Sequence, residues 1–323
     1  MEKSKKLNLI GQLLLLLATI VWGTSFVILK DTISEVPAMY VIAIRFLFAG
    51  IVMLLIFIKK VRAMSKFSLL SGVIVGLFVA LAYITQTTGL IHTTPGRNAF
   101  LTSSYCVMCP FLMWMCFKKK PKLKNVISAI LCVVGIGFIS LSSESSFGVD
   151  LLLGDGLTLI AAVFFGFQII FIDRFQKRGA DTVVVLVFEF LTAGVIFSII
   201  SLIFELPTRG IVGYVLNTEQ IIKIAYLAIM CTLFAQSSQM IGQKFTTANQ
   251  SSIILSLEAV FGMLFSVLLG VEKISLWLGV GFAVVFVAIL ISEMDFDKIK
   301  FLSKRKDVLI DKTQDKGEDY GKE

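Results

Sequence analysis

Few side chains in this sequence could do chemistry, and several of them stand in stretches that otherwise carry no charge. Glu258, Arg45 and Glu189 are ionisable groups within apolar runs, and Tyr105 is a phenol in similar company. An ionisable side chain at the centre of a bilayer costs about 2.5–3.5 kcal/mol on insertion scales, so its presence there reads first as functional. A carboxyl such as Glu258, near the middle of its run, could take a substrate amine or act as a protonation switch. Its alternative is a packing carboxyl bonded to a neighbouring hydroxyl. Tyr105 could line a cavity and bond a substrate, or simply pack as an aromatic. Arg45 and Glu189 have opposite charges, but they lie on opposite sides of their runs' centres. Their backbones therefore differ by about 10 Å in depth. That difference argues for caution about a direct ion pair, although long side chains could still meet or each could bind in a different state; a structural or gating role is favoured over substrate contact.

Other chemistries find little support. Cys106-x-x-Cys109 has the spacing of half a metal or redox site, but the chain has one His, His92. The cysteines lie within or at the edges of apolar runs and read as small packing residues. His92 falls in a short connection, where an exposed imidazole is the plain reading. There is no His-Glu-x-x-His pair, no Gly-x-Ser-x-Gly elbow, no Walker-A loop and no Gly-x-Gly-x-x-Gly fingerprint. No catalytic residue, metal or cofactor is expected, and the chain is not read as an enzyme.

The elements that must position these residues are helices long enough to cross a membrane. The 323 residues are 57% hydrophobic and 16% charged, against about 25% charged in soluble domains. Apolar runs fall at about 9–29, 37–58, 68–90, 97–117, 125–142, 154–172, 182–204, 220–241, 248–270 and 275–293. Each is near the length a helix needs to span the hydrocarbon core, and none has the short alternating pattern of barrel strands. The first follows Lys3, Lys5 and Lys6. It lacks an Ala-x-Ala-like cleavage site and is expected as an uncleaved span. The 297–323 segment is rich in Lys and Asp and reads as a solvated, disordered tail.

The net charge of +8 has a topological explanation. With both ends on the inner side, 24 of the 30 basic residues fall on inner segments. That is the asymmetry that orients membrane proteins, and it leaves no concentrated patch for nucleic acid. Lys30, Arg97, Arg209, Lys223 and Lys273 fall on outer segments.

The chain also repeats itself. Gly11 and Gly23 match Gly154 and Gly166, with Trp22 falling on Phe165. Arg45-Phe46-Leu47-Phe48-Ala49-Gly50 matches Glu189-Phe190-Leu191-Thr192-Ala193-Gly194. Gln86-x-x-Gly89 matches Gln239-x-x-Gly242, and Tyr105 takes the place of Glu258. Five spans per half is an odd number, so the second half enters the membrane inverted, as in many secondary transporters.

Trp22-Gly23-Thr24-Ser25-Phe26, Arg45-Phe46, Phe100-Leu101-Thr102 with Tyr105 and Pro110, and Leu257-Glu258 resemble the drug/metabolite transporter superfamily, EamA-type. The resemblance covers about residues 9–293. It departs at Ala259, where the family commonly has Pro, and at Gly270-Val271-Glu272, where it commonly has Gly-Glu. It implies an all-α integral membrane fold of ten transmembrane helices, built as two inverted five-helix repeats, 9–142 and 154–293, around a central cavity. It also implies transport of amino acids, related metabolites or drugs.

These readings combine into one expectation. The chain is a secondary transporter, an exporter of a small polar metabolite by alternating access. It sits in the cell membrane as a monomer or homodimer, with both termini cytoplasmic and protons as a candidate coupling ion. A flippase of lipid-linked sugars and a membrane-embedded enzyme are the alternatives. Substrate contacts are expected from Glu258, Tyr105, Trp22, Ser25, Gln86, Asn98, Gln168 and Gln239. Coupling or gating is expected from Glu258, Arg45 and Glu189. Gln236 and Asn249 join Gln86, Asn98, Gln168 and Gln239 as the weaker candidates, since any single amide in a span is more often helix–helix glue than ligand contact.

Overall fold

The structure is a computed structural model that describes residues 2–141, 149–210, 215–246, 248–273 and 275–293. The expected tail, 297–323, lies outside the described residues. Those residues form ten main helical segments, with a short helix Ile58–Arg62 between the second and third, and no strand. They are α1 Glu2–Glu35, α2 Ala38–Ile56, α3 Lys66–His92, α4 Pro95–Phe117, α5 Leu123–Leu141, α6 Val149–Lys177, α7 Thr182–Thr208, and α8 Thr218–Phe245. The ninth, α9, has two pieces, Ala248–Ser256 and Glu258–Leu268, and α10 is Leu276–Glu293. Seven are both long and apolar enough to cross a membrane, and α5, α9 and α10 contain the shorter apolar stretches. Helices must close their own backbone hydrogen bonds where no water is available. Three of their starts are capped by side chains: Ser65 accepts from the Ser68 amide before α3, Asp181 from Val183 and Val184 before α7, and Asn217 forms a capping box with Gln220 before α8. Outward-facing leucines and isoleucines such as Leu13, Leu17, Ile51 and Leu55 stay exposed, as lipid contact requires.

Close helix crossings establish the symmetry. A Cβ added at Gly11 of α1 would meet the Gly242 carbonyl of α8 at 3.0 Å, and one at Gly242 would meet the Gly11 carbonyl at 2.9 Å. The pair related to it by the repeat does the same: Gly89 of α3 and Gly154 of α6 would each strike the other's carbonyl, at 2.8 and 2.9 Å. Small residues that let backbones touch are the usual means of packing helices in lipid. Between α2 and α7 the two repeats meet through equivalent residues, Gly50 on Leu191 and Gly194 on Leu47. As the number rises in α2 it falls in α7, so these two equivalent helices are antiparallel. The second repeat is therefore inverted with respect to the first. Phe46 seals this crossing by edge contacts to Phe190 and Phe197 at 6.0 and 5.2 Å.

Two spans are broken. In α4 the helix tightens at Ser103–Ser104, where amides reach back three residues: Ser104 to Leu101, Cys106 to Ser103 and Val107 to Ser104. Pro110 follows inside the second piece and cannot donate to the Cys106 carbonyl. In α9 the break is at Leu257, whose amide bonds Ile254. It occurs with Ala259, not Pro, behind Glu258. The residue that opens the second piece is Tyr105 in one repeat and Glu258 in the other.

Candidate functional site: a cavity on the repeat axis

A cavity with about 360 Å³ of empty space lies between the halves. Five of its lining residues from the first half are Trp22, Tyr83, Gln86, Thr102 and Tyr105. Their repeat equivalents, Phe165, Gln236, Gln239, Leu255 and Glu258, line it too, so the cavity sits on the pseudo-two-fold axis. Gln168 and Ile169 complete the wall. A second space of about 290 Å³ shares Trp22, Tyr83, Gln86 and Glu258 and reaches Ser25, Phe26, Leu29, Leu90 and Asn98.

The breaks in α4 and α9 explain why Tyr105 and Glu258 face this space. Each begins a new helical piece at the cavity wall, set by a three-residue hydrogen bond that turns the chain more tightly than an α-helix. Both are buried, at 3% and 7% exposure. Neither the Glu258 carboxyl nor the Tyr105 hydroxyl has a hydrogen-bond partner among the described residues. A buried polar group left in this way needs water or a ligand.

Most other polar wall groups are committed. The Trp22 indole N–H donates to the Cys231 carbonyl at 2.8 Å. Gln86 donates to Thr102 at 3.0 Å, and Asn98 to Thr158 at 2.7 Å and to the Gln86 carbonyl. Gln168 and Gln236 both donate to Glu189 Oε1, at 3.0 and 2.7 Å. Gln239 lines the cavity without a protein partner among the described residues. The side chain of Asn249 lies outside the described residues.

Arg45 and Glu189 line neither space, and they form no ion pair. Arg45 Nε donates to Thr232 Oγ1 at 3.0 Å, and its guanidinium lies 5.9 Å from the Tyr83 ring centroid. Thr232 is available because α8 loosens to five-residue hydrogen bonding over Leu227–Phe234; its hydroxyl also donates to the Leu227 carbonyl at 3.0 Å. Each charge thus touches the cavity only through a lining residue, Arg45 through Tyr83 and Glu189 through Gln168 and Gln236. The direct pair that the sequence left open is absent among the described residues.

Sequence reasoning missed Tyr83. It is the repeat equivalent of Gln236, which stood out only because an amide in a span is conspicuous and a tyrosine is not. It also placed Arg97 in an outer connection. Arg97 is instead 4% exposed and pairs with Asp155 near the start of α6, to which Thr93 also donates, at 3.1 Å. Beside it Glu272 accepts from Thr94, from the Gly96 amide at 2.8 Å and from Ser266 at 2.5 Å, fixing the start of α4 to the end of α9. Lys30 donates to the carbonyls of Leu90, Ile91 and Thr93. Charged contacts thus tie α1, α3, α4, α6 and the end of α9 together at this end of the bundle. The repeat positions at the other end that match Arg97, Asp155 and Glu272 are Gln250, Gln12 and Lys119, which cannot repeat those pairs.

The comparisons with known proteins agree with this architecture. A model of the EamA-like transporter family matches residues 9–141 and again 152–294. A protein of Archaeoglobus fulgidus described as an uncharacterized transporter is 30% identical over 260 residues, 80% of this chain and 78% of that one. The uncharacterized transporter YoaV of Bacillus subtilis is 23% identical over 191 residues, 58% of this chain and 65% of its own length. A solved crystal structure shares the fold with a TM-score of 0.65 at 16% identity, over 87% of this chain and 96% of the other.

Proposed function

The chain belongs to the EamA-like transporter family and is a multi-pass membrane transporter; from that premise we propose that it exports a small polar metabolite, of amino-acid or drug size, by alternating access around the axial cavity. The observation that carries this reading is the pairing of the cavity wall, in which equivalent residues from two inverted repeats face one space. Inverted halves can exchange conformations and so offer the same site to either side at similar energy. Glu258 and Tyr105 are the groups proposed to meet the substrate, because they face the cavity unpartnered. Trp22, Gln86, Gln168 and Gln239 shape the wall, and Ser25 and Asn98 the adjoining space.

We place the protein in the cell membrane with both termini cytoplasmic, on the distribution of its basic residues. In that orientation the charge-tied end, with Arg97, Asp155 and Glu272, is the outer one. Contacts that tie the helices together at that end support loading from the cytoplasm, and hence export. Glu258 is also the proposed site of proton exchange, being the one acid in the wall.

The experiment is reconstitution in liposomes, with a screen of metabolites by counterflow. Saturable exchange of at least one soluble metabolite is expected, and exchange of none would reject the reading. Glu258→Gln tested over a pH series separates the coupling role. A flattened pH response is expected, and an unchanged rate and pH response would remove Glu258 from coupling.

A further inference from the structure

We infer that the cavity selects an organic cation, an ammonium group carried on an apolar body, over zwitterions and anions of the same size. The inference rests on the cavity being the transport site, and it concerns only the charge of what binds there.

Its first support is the wall. Trp22, Tyr83, Tyr105 and Phe165 bring four aromatic side chains to one space, and Glu258 is the single ionisable acid among them. No Lys, Arg or His lines either space. Aromatic rings attract cations through their negative faces, more strongly where water is excluded. The carboxylate of a zwitterion or an anion would find no positive group to receive it.

The second support is the direction of the amides. Glu189, when ionised, can only accept hydrogen bonds, so Gln168 and Gln236 must turn their NH₂ groups toward it. Gln86 likewise gives its NH₂ to Thr102. The carbonyl oxygens of these three amides have no partner among the described residues. The Trp22 N–H, which an anion could have used, is taken by the Cys231 carbonyl. At these three amides and at Trp22 the wall has committed donors and kept acceptors, and its remaining free donors, on Gln239 and Tyr105, are neutral.

The third support is the surrounding charge. The ionisable groups directly behind the lining are Arg45, behind Tyr83, and Glu189, behind the two amides. They are opposite in sign and neither lines the cavity, so Glu258 is the acid that meets what binds there.

The test uses three probes with one phenyl body. Benzyltrimethylammonium is a permanent cation, phenylalanine a zwitterion and phenylacetate an anion. Binding to the purified full-length protein is measured by calorimetry in detergent. The cation should bind at least about tenfold tighter than either other probe. Glu258→Gln should weaken it about tenfold or more. Equal or tighter binding of phenylalanine or phenylacetate would overturn the inference, and so would undetectable cation binding. If Glu258→Gln does not fold, the comparison of probes on the unaltered protein decides. Counterflow keeps the two readings apart. A cation that binds without being carried counts against transport and supports the charge preference. A zwitterion carried by a protein that does not bind the cation upholds transport and removes the preference.

Discussion

Arg45 and Glu189 occupy equivalent positions in the two repeats, carry opposite charges, are each wholly buried, and do not touch. The contacts of Gly50 with Leu191 and of Gly194 with Leu47 put Arg45 level with Ile196, so seven residues of α7 separate the levels of the two charges. That is about 10 Å along the helix axis. Both are under-satisfied among the described residues: the two terminal nitrogens of Arg45 and Oε2 of Glu189 have no partner. A buried charge without a full set of partners is costly, and an opposite charge in the same low-dielectric core is what offsets it over this distance. Removing either alone should leave the other uncompensated.

A double-mutant cycle measures that relationship. Arg45→Met and Glu189→Gln should each lower thermal stability in detergent, by an amount on the order of 1–3 kcal/mol. The double variant should lose clearly less than the two losses combined. Simple additivity would mean the two charges are stabilised independently.

The glycine crossings give a prediction with an internal control. Gly89→Ala and Gly242→Ala place a methyl within 2.8 and 2.9 Å of a facing backbone carbonyl, which side-chain rotation cannot relieve. Both should destabilise by about 1–3 kcal/mol, as overpacking does. Gly156 lies in α6, and a Cβ there would meet nothing within 4 Å. Gly156→Ala should be neutral or stabilising by up to about 1 kcal/mol, since alanine is the better helix former. Melting curves of the three variants test this, and equal behaviour of all three would discard the close-crossing account.

Hydropathy and repeat spacing made the membrane-spanning architecture legible, because lipid demands long apolar helices and inverted halves leave matched residues. Glu258 and Tyr105 were legible as well, since polarity in an apolar run is conspicuous. What stayed hidden were features that depend on tertiary partners. Nothing local marks Leu257 as a break, because no proline or glycine sits beside it. Arg97 looked like a boundary charge, and only the approach of α4 to α6 buries it as a pair with Asp155. Glu272 looked like an irregular family ending, whereas it caps the start of another span.

The Lys60–Asp181 pair predicts a dependence of stability on pH. Asp181 lies outside the spans, before α7, 2.9 Å from Lys60. Partial burial alone would push its carboxyl up. The hydrogen bond from Lys60, the amides of Val184 and Val183, and the Lys60 charge outweigh that and hold it below its ordinary value. A depressed carboxyl stabilises the fold above its unfolded value, about 3.9, and that contribution is lost as pH falls through the folded one. Asp181→Asn keeps the helix cap and removes the charge. The original protein should exceed the variant in stability by up to about 1 kcal/mol at pH 7, given the exposure of the pair. The difference should shrink below about pH 4. A difference that persists or grows in acid would contradict the assignment.

The Arg97–Asp155 pair should hold one end of the bundle shut. It joins α4 to α6 beside the Glu272 cap, and both side chains are nearly excluded from solvent. Asp155→Asn leaves the guanidinium without its charge partner, and Arg97→Gln leaves the carboxylate. Either should favour separation of these helices, where both groups regain water. Leu90 lines the space below this closure, so a cysteine placed there reports on opening. In a background with the five native cysteines replaced, thiol labelling of Leu90→Cys should accelerate about threefold or more when either partner is neutralised. Exchanging the two residues, Arg97→Asp with Asp155→Arg, should bring the rate back toward its starting value, because the attraction is restored with its direction reversed. Labelling that ignores all of these changes would mean that the pair is structural cement and not a gate.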